Sequence, residues 1–264
     1  MSKISKRDLI LNSIISAYID ENLPIGSNEL GSRMSVFMPA STIRVYFKKL
    51  SDEGQITQLH ISGGRVPTQI AMQNYWSEIF ADFDEIISIN NDRVLKNICY
   101  KYDLYCMIFG SNDQNLDEIL NLSDRFLVLK FSKDEIVLKF DARVEKFLSN
   151  LLGVSLNKLE IVASQVGLNE LKNKIRELKR TKIQFQENEI LAFKMLSDER
   201  VKLIFEPSFE SLMSENIAFY PLFNDGFMGL KLRANYLGNE AVMICGGSIY
   251  ANYVKFLNEI REAA

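Results

Sequence analysis

Residues 40–54 read ASTIRVYFKKLSDEG and run directly into residues 55–68, QITQLHISGGRVPT. On a helical wheel for residues 41 to 52, Ile43, Phe47 and Leu50 fall together with Tyr46 beside them, which fixes the face that packs inward. The opposite face carries Ser41, Val45, Lys48 and Lys49, flanked by Thr42 and Arg44. Gly54 tolerates the left-handed backbone that ends helices, and the Gly63-Gly64 pair after it marks a hairpin. A polar-faced helix followed at once by a hairpin is the order of a winged helix-turn-helix.

That order gives the exposed residues a chemistry. Ser41, Thr42, Lys48 and Lys49 suit phosphate oxygens, Arg44 a guanine edge and Val45 a thymine methyl. A solvated face on a core helix would look the same in isolation. The hairpin tip His60, Ser62, Gly63, Gly64 and Arg65 favours nucleic acid, since a cation there can reach a minor groove or the flanking phosphates.

Working outward, Leu11, Ile14, Ile15, Tyr18 and Ile19 place an apolar stripe on a first helix of about Lys6 to Glu21. Leu23-Pro24 ends it, and Ser27, also a candidate DNA contact, sits where an N-cap belongs for a short helix holding Leu30 and Met34. Residues 1–69 therefore form one small module. Residues 1–70 hold eight Lys/Arg against six Asp/Glu, and the remainder is acidic within a net charge of −3. A polyanion suits only the front end, and its small excess predicts weak single-site binding without a dimer.

From Thr68 an amphipathic pattern with Trp76, Ile79, Phe80, Phe83 and Ile87 predicts a connecting helix over 70–90. Beyond it, strand-like runs LYCMIF, RFLVLKF and EIVLKF precede a helical block, and KLIFE, IAFYPLF, GFMGLKLRANY and EAVMICG follow. This is an α+β arrangement over 91–264, interrupted by helices at about 145–182. Within the block, Leu168, Leu171, Ile175 and Leu178 step by three and four. They form either a dimer seam or the inner face of a helix on its own domain.

Several classes are disfavoured. No apolar run approaches the ~18 residues of a membrane span, and MSKISKRDLI lacks a signal peptide's apolar core, so a cytoplasmic location without membrane association is expected. Cys99, Cys106 and Cys245 lie among apolar neighbours without a Cys-x-x-Cys pair, which predicts buried thiols. His60 is the single histidine. Ser-His and Cys-His catalysis is therefore excluded beyond it, and neither an enzyme, a metal nor a cofactor is expected.

Three motifs give a specific resemblance. Pro24, Ile25, Gly26 and Ser27, then Thr42, Ile43 and Arg44, then His60, Ser62, Gly64, Arg65, Pro67 and Thr68 match position by position the start of the HrcA family of heat-inducible transcription repressors. Val45 replaces that family's asparagine, Ser41 its alanine, Ile61 its threonine and Gly63 its alanine. The chain is thus identified as a divergent, shortened member, with Arg233 and Tyr236 keeping an Arg-x-x-Tyr pattern late in the sequence. The resemblance implies a GAF-like domain interrupted by a dimerising insertion, a homodimer on an inverted-repeat DNA operator of chaperone genes, and the GroE chaperonin as the partner that maintains activity. An alternative keeps the DNA-binding module and makes the GAF-like half a sensor of a small molecule.

Overall fold

The computed structural model describes residues 5–60, 63–110, 114–178, 182–196, 200–205, 209 and 212–264. The chain divides into two compact units, Met1–Ile108 with Phe185–Ala264, and Phe109–Gln184.

The first unit opens with α1 (Lys6–Glu21), capped by the Ser5 hydroxyl, which accepts from Asp8 N–H at 3.1 Å. Asn22 takes the left-handed conformation at its end, and its N–H donates to Tyr18 O at 2.7 Å. Helix α2 (Ser27–Arg33) is capped by Gly26, so Ser27 is the first helical residue and not the expected cap. Pro39 precedes α3 (Ala40–Asp52), and Gly54 at φ +69° turns the chain into β1 (Ile56–Thr57) and its antiparallel partner β2 (Val66–Pro67). Ile10, Ile14, Ile25, Leu30, Ile43, Phe47, Leu50 and Ile56 pack into one cluster. At about 1.5–3 kcal/mol for each large apolar side chain removed from water, this small cluster is what holds three short helices together.

The Thr68 hydroxyl caps α4 (Gln69–Phe80). The expected helix to residue 90 ends ten residues early, and 87–89 form β3 (Ile87–Ile89), whose two isoleucines suit a pleat better than a helix. Asn91 caps α5 (Asp92–Lys101), which leads to the wholly buried β4 (Leu104–Gly110).

The second unit comprises β5 (Leu116–Leu122), β6 (Phe126–Phe131), β7 (Glu135–Lys139), α6 (Ala142–Ser149), α7 (Leu156–Gln165) and α8 (Asn169–Leu178). Its three strands form a separate antiparallel sheet. The inserted unit therefore begins near residue 109 and not near 145, since the strands at 126–131 and 135–139 pair with each other and with β5. Leu171 and Ile175 are buried against Leu127, Leu129, Ile136 and Leu138, with Leu168 and Leu178 partly buried beside them. This corrects the dimer-seam expectation: the stripe forms the unit's own core, because Leu168 and, on α8, Leu171, Ile175 and Leu178 meet the apolar face of a sheet within the same unit.

The chain returns through β8 (Lys182–Glu187), α9 (Glu189–Met195), β9 (Ile217–Ala218), β10 (Phe227–Tyr236), β11 (Asn239–Ser248) and α10 (Tyr253–Glu262). The main sheet runs β3-β10-β11-β4-β8, with β9 also on β10. KLIFE, expected as a strand, contains a 3₁₀ turn at Leu203–Phe205. Trp76, Cys99, Cys106, Met228, Cys245, Tyr253 and Phe256 lie in the cluster that fills this sheet's packing, and all three thiols are free and buried. Burial pushes the Cys106 and Cys245 thiols up, which keeps them protonated and inert.

The turn from β11 to α10 holds the N-terminal elements in place. Tyr250 packs edge-on against Tyr18 at 5.3 Å and donates to Pro67 O at 3.2 Å. Asp20 accepts from Asn252 Nδ2 at 3.0 Å and pairs with Lys255 at 2.8 Å. Trp76 Nε1 donates to Ile249 O at 2.7 Å.

Candidate nucleic-acid interface

Helix α3 buries Ile43, Phe47 and Leu50 and leaves Ser41, Arg44, Val45, Lys48 and Lys49 exposed, with Thr42 half-buried. Val45 stands 69% exposed at the centre of that face. Among the described residues, Arg44, Lys48 and Lys49 have no carboxylate partner, so their charge is directed at solvent.

Two other cations of this module, Arg7 and Arg33, are engaged internally. Arg7 binds Glu53 at 2.6 Å and Asp8 at 2.7 Å, and these carboxylates raise its guanidinium pKa, Glu53 most. Arg33 binds Glu21 at 2.6 Å and Glu29 at 2.5 Å, and its hydrogen bonds to Glu21 hold that carboxyl below the usual range. Pairing of Arg7 and Arg33 leaves Arg44, Lys48 and Lys49 on α3 as three neighbouring cations without a carboxylate partner among the described residues.

Two of the expected contact residues lie elsewhere than anticipated. Ser27, half-buried at the start of α2, accepts a hydrogen bond from Arg44 Nε at 3.0 Å. Arg65 is not at the hairpin tip. Its main chain bridges Ile25, its guanidinium lies 5.9 Å from the Phe47 ring centroid, and its Nε is buried without a hydrogen-bond partner. The cause is Gly64, whose lack of a Cβ lets the ribbon approach the Pro24-Ile25 backbone so closely that a Cβ would stand 2.6 Å away. His60 is exposed, and its carbonyl accepts from Gly63 N–H at 2.8 Å. Ser62 lies outside the described residues.

Sequence reasoning missed Val36 and Phe37, 54% and 87% exposed in the turn between α2 and α3. Apolar letters between two helices read as core, and only the fold reveals them as surface. It also missed the strap of Asp20, Tyr250, Asn252 and Lys255, whose partners are distant in sequence. The strap borders an open cleft of about 800 Å³ lined by Asp20, Lys101, Tyr102, Ser248, Asn252 and Lys255, among others. Its lysines already hold Glu259 and Asp20, and its walls are as much polar as apolar, unlike the enclosed apolar cavities that bind small molecules. Among the described residues, no cluster of His, Cys, Asp and Glu could hold a metal ion, and no helix is long and apolar enough to cross a membrane.

The architecture is that of a mixed α+β protein, consistent with a GAF-like body. A solved structure described as a hypothetical protein at 2.2 Å resolution shares the fold, with a TM-score of 0.50 and 17% identity over 98% of this chain and 97% of that one. The family model described as the HrcA C-terminal domain matches residues 76–264, and the chain belongs to the HrcA family. Over 99% of its length it is 26% identical to the heat-inducible transcription repressor HrcA of Helicobacter pylori strain J99, covering 96% of that protein. The protein of the same name from strain 26695 is 24% identical over the same shares of both chains.

Proposed function

We propose that this chain is a heat-inducible transcription repressor, acting as a homodimer on an inverted-repeat DNA operator upstream of chaperone genes. Residues 1–69 are its winged helix-turn-helix, 70–90 the connection and 91–264 a GAF-like domain carrying the dimerising insertion. The observation that supports this most is the outward face of α3. Its cations have no carboxylate partner among the described residues while its inner face is buried, and an antiparallel ribbon follows it directly. Two-fold symmetry of the protein would match the symmetry of the operator.

For the dimer contact, the outer face of the three-stranded sheet replaces the α8 stripe. Register puts Leu122 beside Phe126 and aligns half-buried Leu120, buried Val128 and exposed Val137 across the strands, on the side opposite Leu127, Leu129 and Leu138. Leu122, Phe126 and Val137 are between 41% and 49% exposed, an apolar surface suited to a second copy. The GroE chaperonin is the proposed partner that maintains the active fold, as the resemblance of the N-terminal motifs to the HrcA family implies. Its action is on folding and not on a bound ligand.

The test is operator affinity of Arg44→Ala and Lys48→Ala. The arginine change should relax base choice at one position and cost about 1–3 kcal/mol, while the lysine change should weaken all sequences alike. Unchanged affinity in both, with circular dichroism intact, would remove this face from the interface.

A further inference from the structure

We infer that Ser27 is a positioning residue for operator specificity, holding Arg44 so that only the terminal Nη1–Nη2 fork of its guanidinium is presented to a guanine edge. This rests on the proposed DNA-reading role of α3. A guanidinium offers two bidentate edges, Nε with one Nη and the end-on Nη pair. With Nε donating to Ser27 Oγ at 3.0 Å, the side edge is occupied and the end-on fork remains.

The serine is itself well held. Gly26 caps α2, and Ile25 is fixed by its two main-chain hydrogen bonds to Arg65, 3.0 and 2.8 Å long. The hydroxyl is therefore anchored between the helix and the ribbon base. An exposed arginine otherwise samples many rotamers, and tethering Nε removes part of the entropy lost when a bidentate base contact forms. Such a contact separates guanine from the other bases in the major groove, because O6 and N7 are paired acceptors there. In this arrangement Ser27 does not touch DNA. It sets the direction from which Arg44 does.

The experiment selects bound sequences from a randomised duplex library with full-length wild type, Ser27→Ala, Ser27→Thr, Arg44→Ala and the Ser27→Ala/Arg44→Ala pair. Wild type should prefer guanine at one position of each half-site, and Arg44→Ala should lose that preference. Ser27→Ala should weaken it about five- to tenfold at that position only, the effect of losing one solvent-exposed hydrogen bond of ordinary strength. Ser27→Thr, which keeps the hydroxyl, should retain it, and the double variant should match Arg44→Ala. A uniform loss across all sequences in Ser27→Ala, or additive effects in the double variant, would overturn the inference while leaving α3 as the reader. If Ser27→Ala fails to fold, a Ser27→Thr profile flattened at positions other than the one read by Arg44 would overturn it equally. Absence of any sequence preference in wild type would instead defeat the DNA-reading role itself.

Discussion

The main chains of Ile25 and Arg65 pair as an antiparallel bridge, each N–H donating to the other's carbonyl at 3.0 and 2.8 Å. This contact explains why Pro24-Ile25-Gly26-Ser27 and the Gly64-Arg65 ribbon occur together in one sequence. The first segment is the base on which the second rests, and through Ser27 it also meets Arg44.

The bridge makes unequal demands on two adjacent glycines. A Cβ at Gly64 would stand 2.6 Å from the Pro24-Ile25 backbone, whereas one at Gly63 would be 3.2 Å from His60 O. Gly64→Ala should lower the stability of the N-terminal module by about 1–3 kcal/mol, the usual range for forced overpacking, and Gly63→Ala by clearly less. Urea denaturation of residues 1–69, or of the full chain if that fragment does not fold, checks this. Equal midpoints for the two variants would contradict it.

The inserted unit allows stability to be separated from assembly. Leu171→Ala or Ile175→Ala should destabilise that unit by about 2–5 kcal/mol, since each opens a cavity in its core. Phe126→Glu with Val137→Glu should leave it folded and yield monomers that bind half-sites poorly, because the gain from a linked second module is lost. Light scattering and denaturation together resolve the two. An unaltered dimer in the glutamate pair would exclude this sheet face.

Salt dependence should be shallow for a DNA-binding protein. With Lys48 and Lys49 as the phosphate contacts on each of two protomers, log affinity should fall against log salt with a slope of about −4. Lys48→Ala should reduce the magnitude by about two, one contact from each half-site. A slope steeper than about −8 would require cations beyond α3.

Heat should act on the folded fraction. A domain held by a few kcal/mol can be lost over a modest temperature rise, and β3 pairs with β10 across most of the chain, a non-local topology that refolds slowly. Mild heating should therefore reduce the number of active operator-binding sites irreversibly. Chaperonin with ATP should raise that number without changing the affinity of molecules already folded. Stoichiometric titration before and after heating measures both, and a constant active fraction with affinity altered by a small metabolite would favour a ligand sensor.

The N-terminal module was largely legible because its signals are local. Gly54 and Pro39 bound α3, and the wheel separates Ile43, Phe47 and Leu50 from Ser41, Arg44, Val45 and Lys48 without knowledge of the fold. Arg65 was misplaced because hairpin letters do not tell how far a ribbon folds back onto a distant Pro24-Ile25 backbone. The α8 stripe was ambiguous for a similar reason: apolar spacing identifies a face to be buried but not the surface that buries it. Strands 126–131 and 135–139 were found, yet their pairing with 116–122 required the register of a sheet whose first strand has a poor alternation.

The most direct test of repressor function is the sequencing of genomic fragments retained by the full-length protein, beside a variant carrying Arg44→Ala, Lys48→Ala and Lys49→Ala. Enrichment of one inverted repeat upstream of chaperone genes is expected, absent with the triple variant and lost after heating. Equal retention by the two proteins, or fragments without a shared repeat, would contradict it.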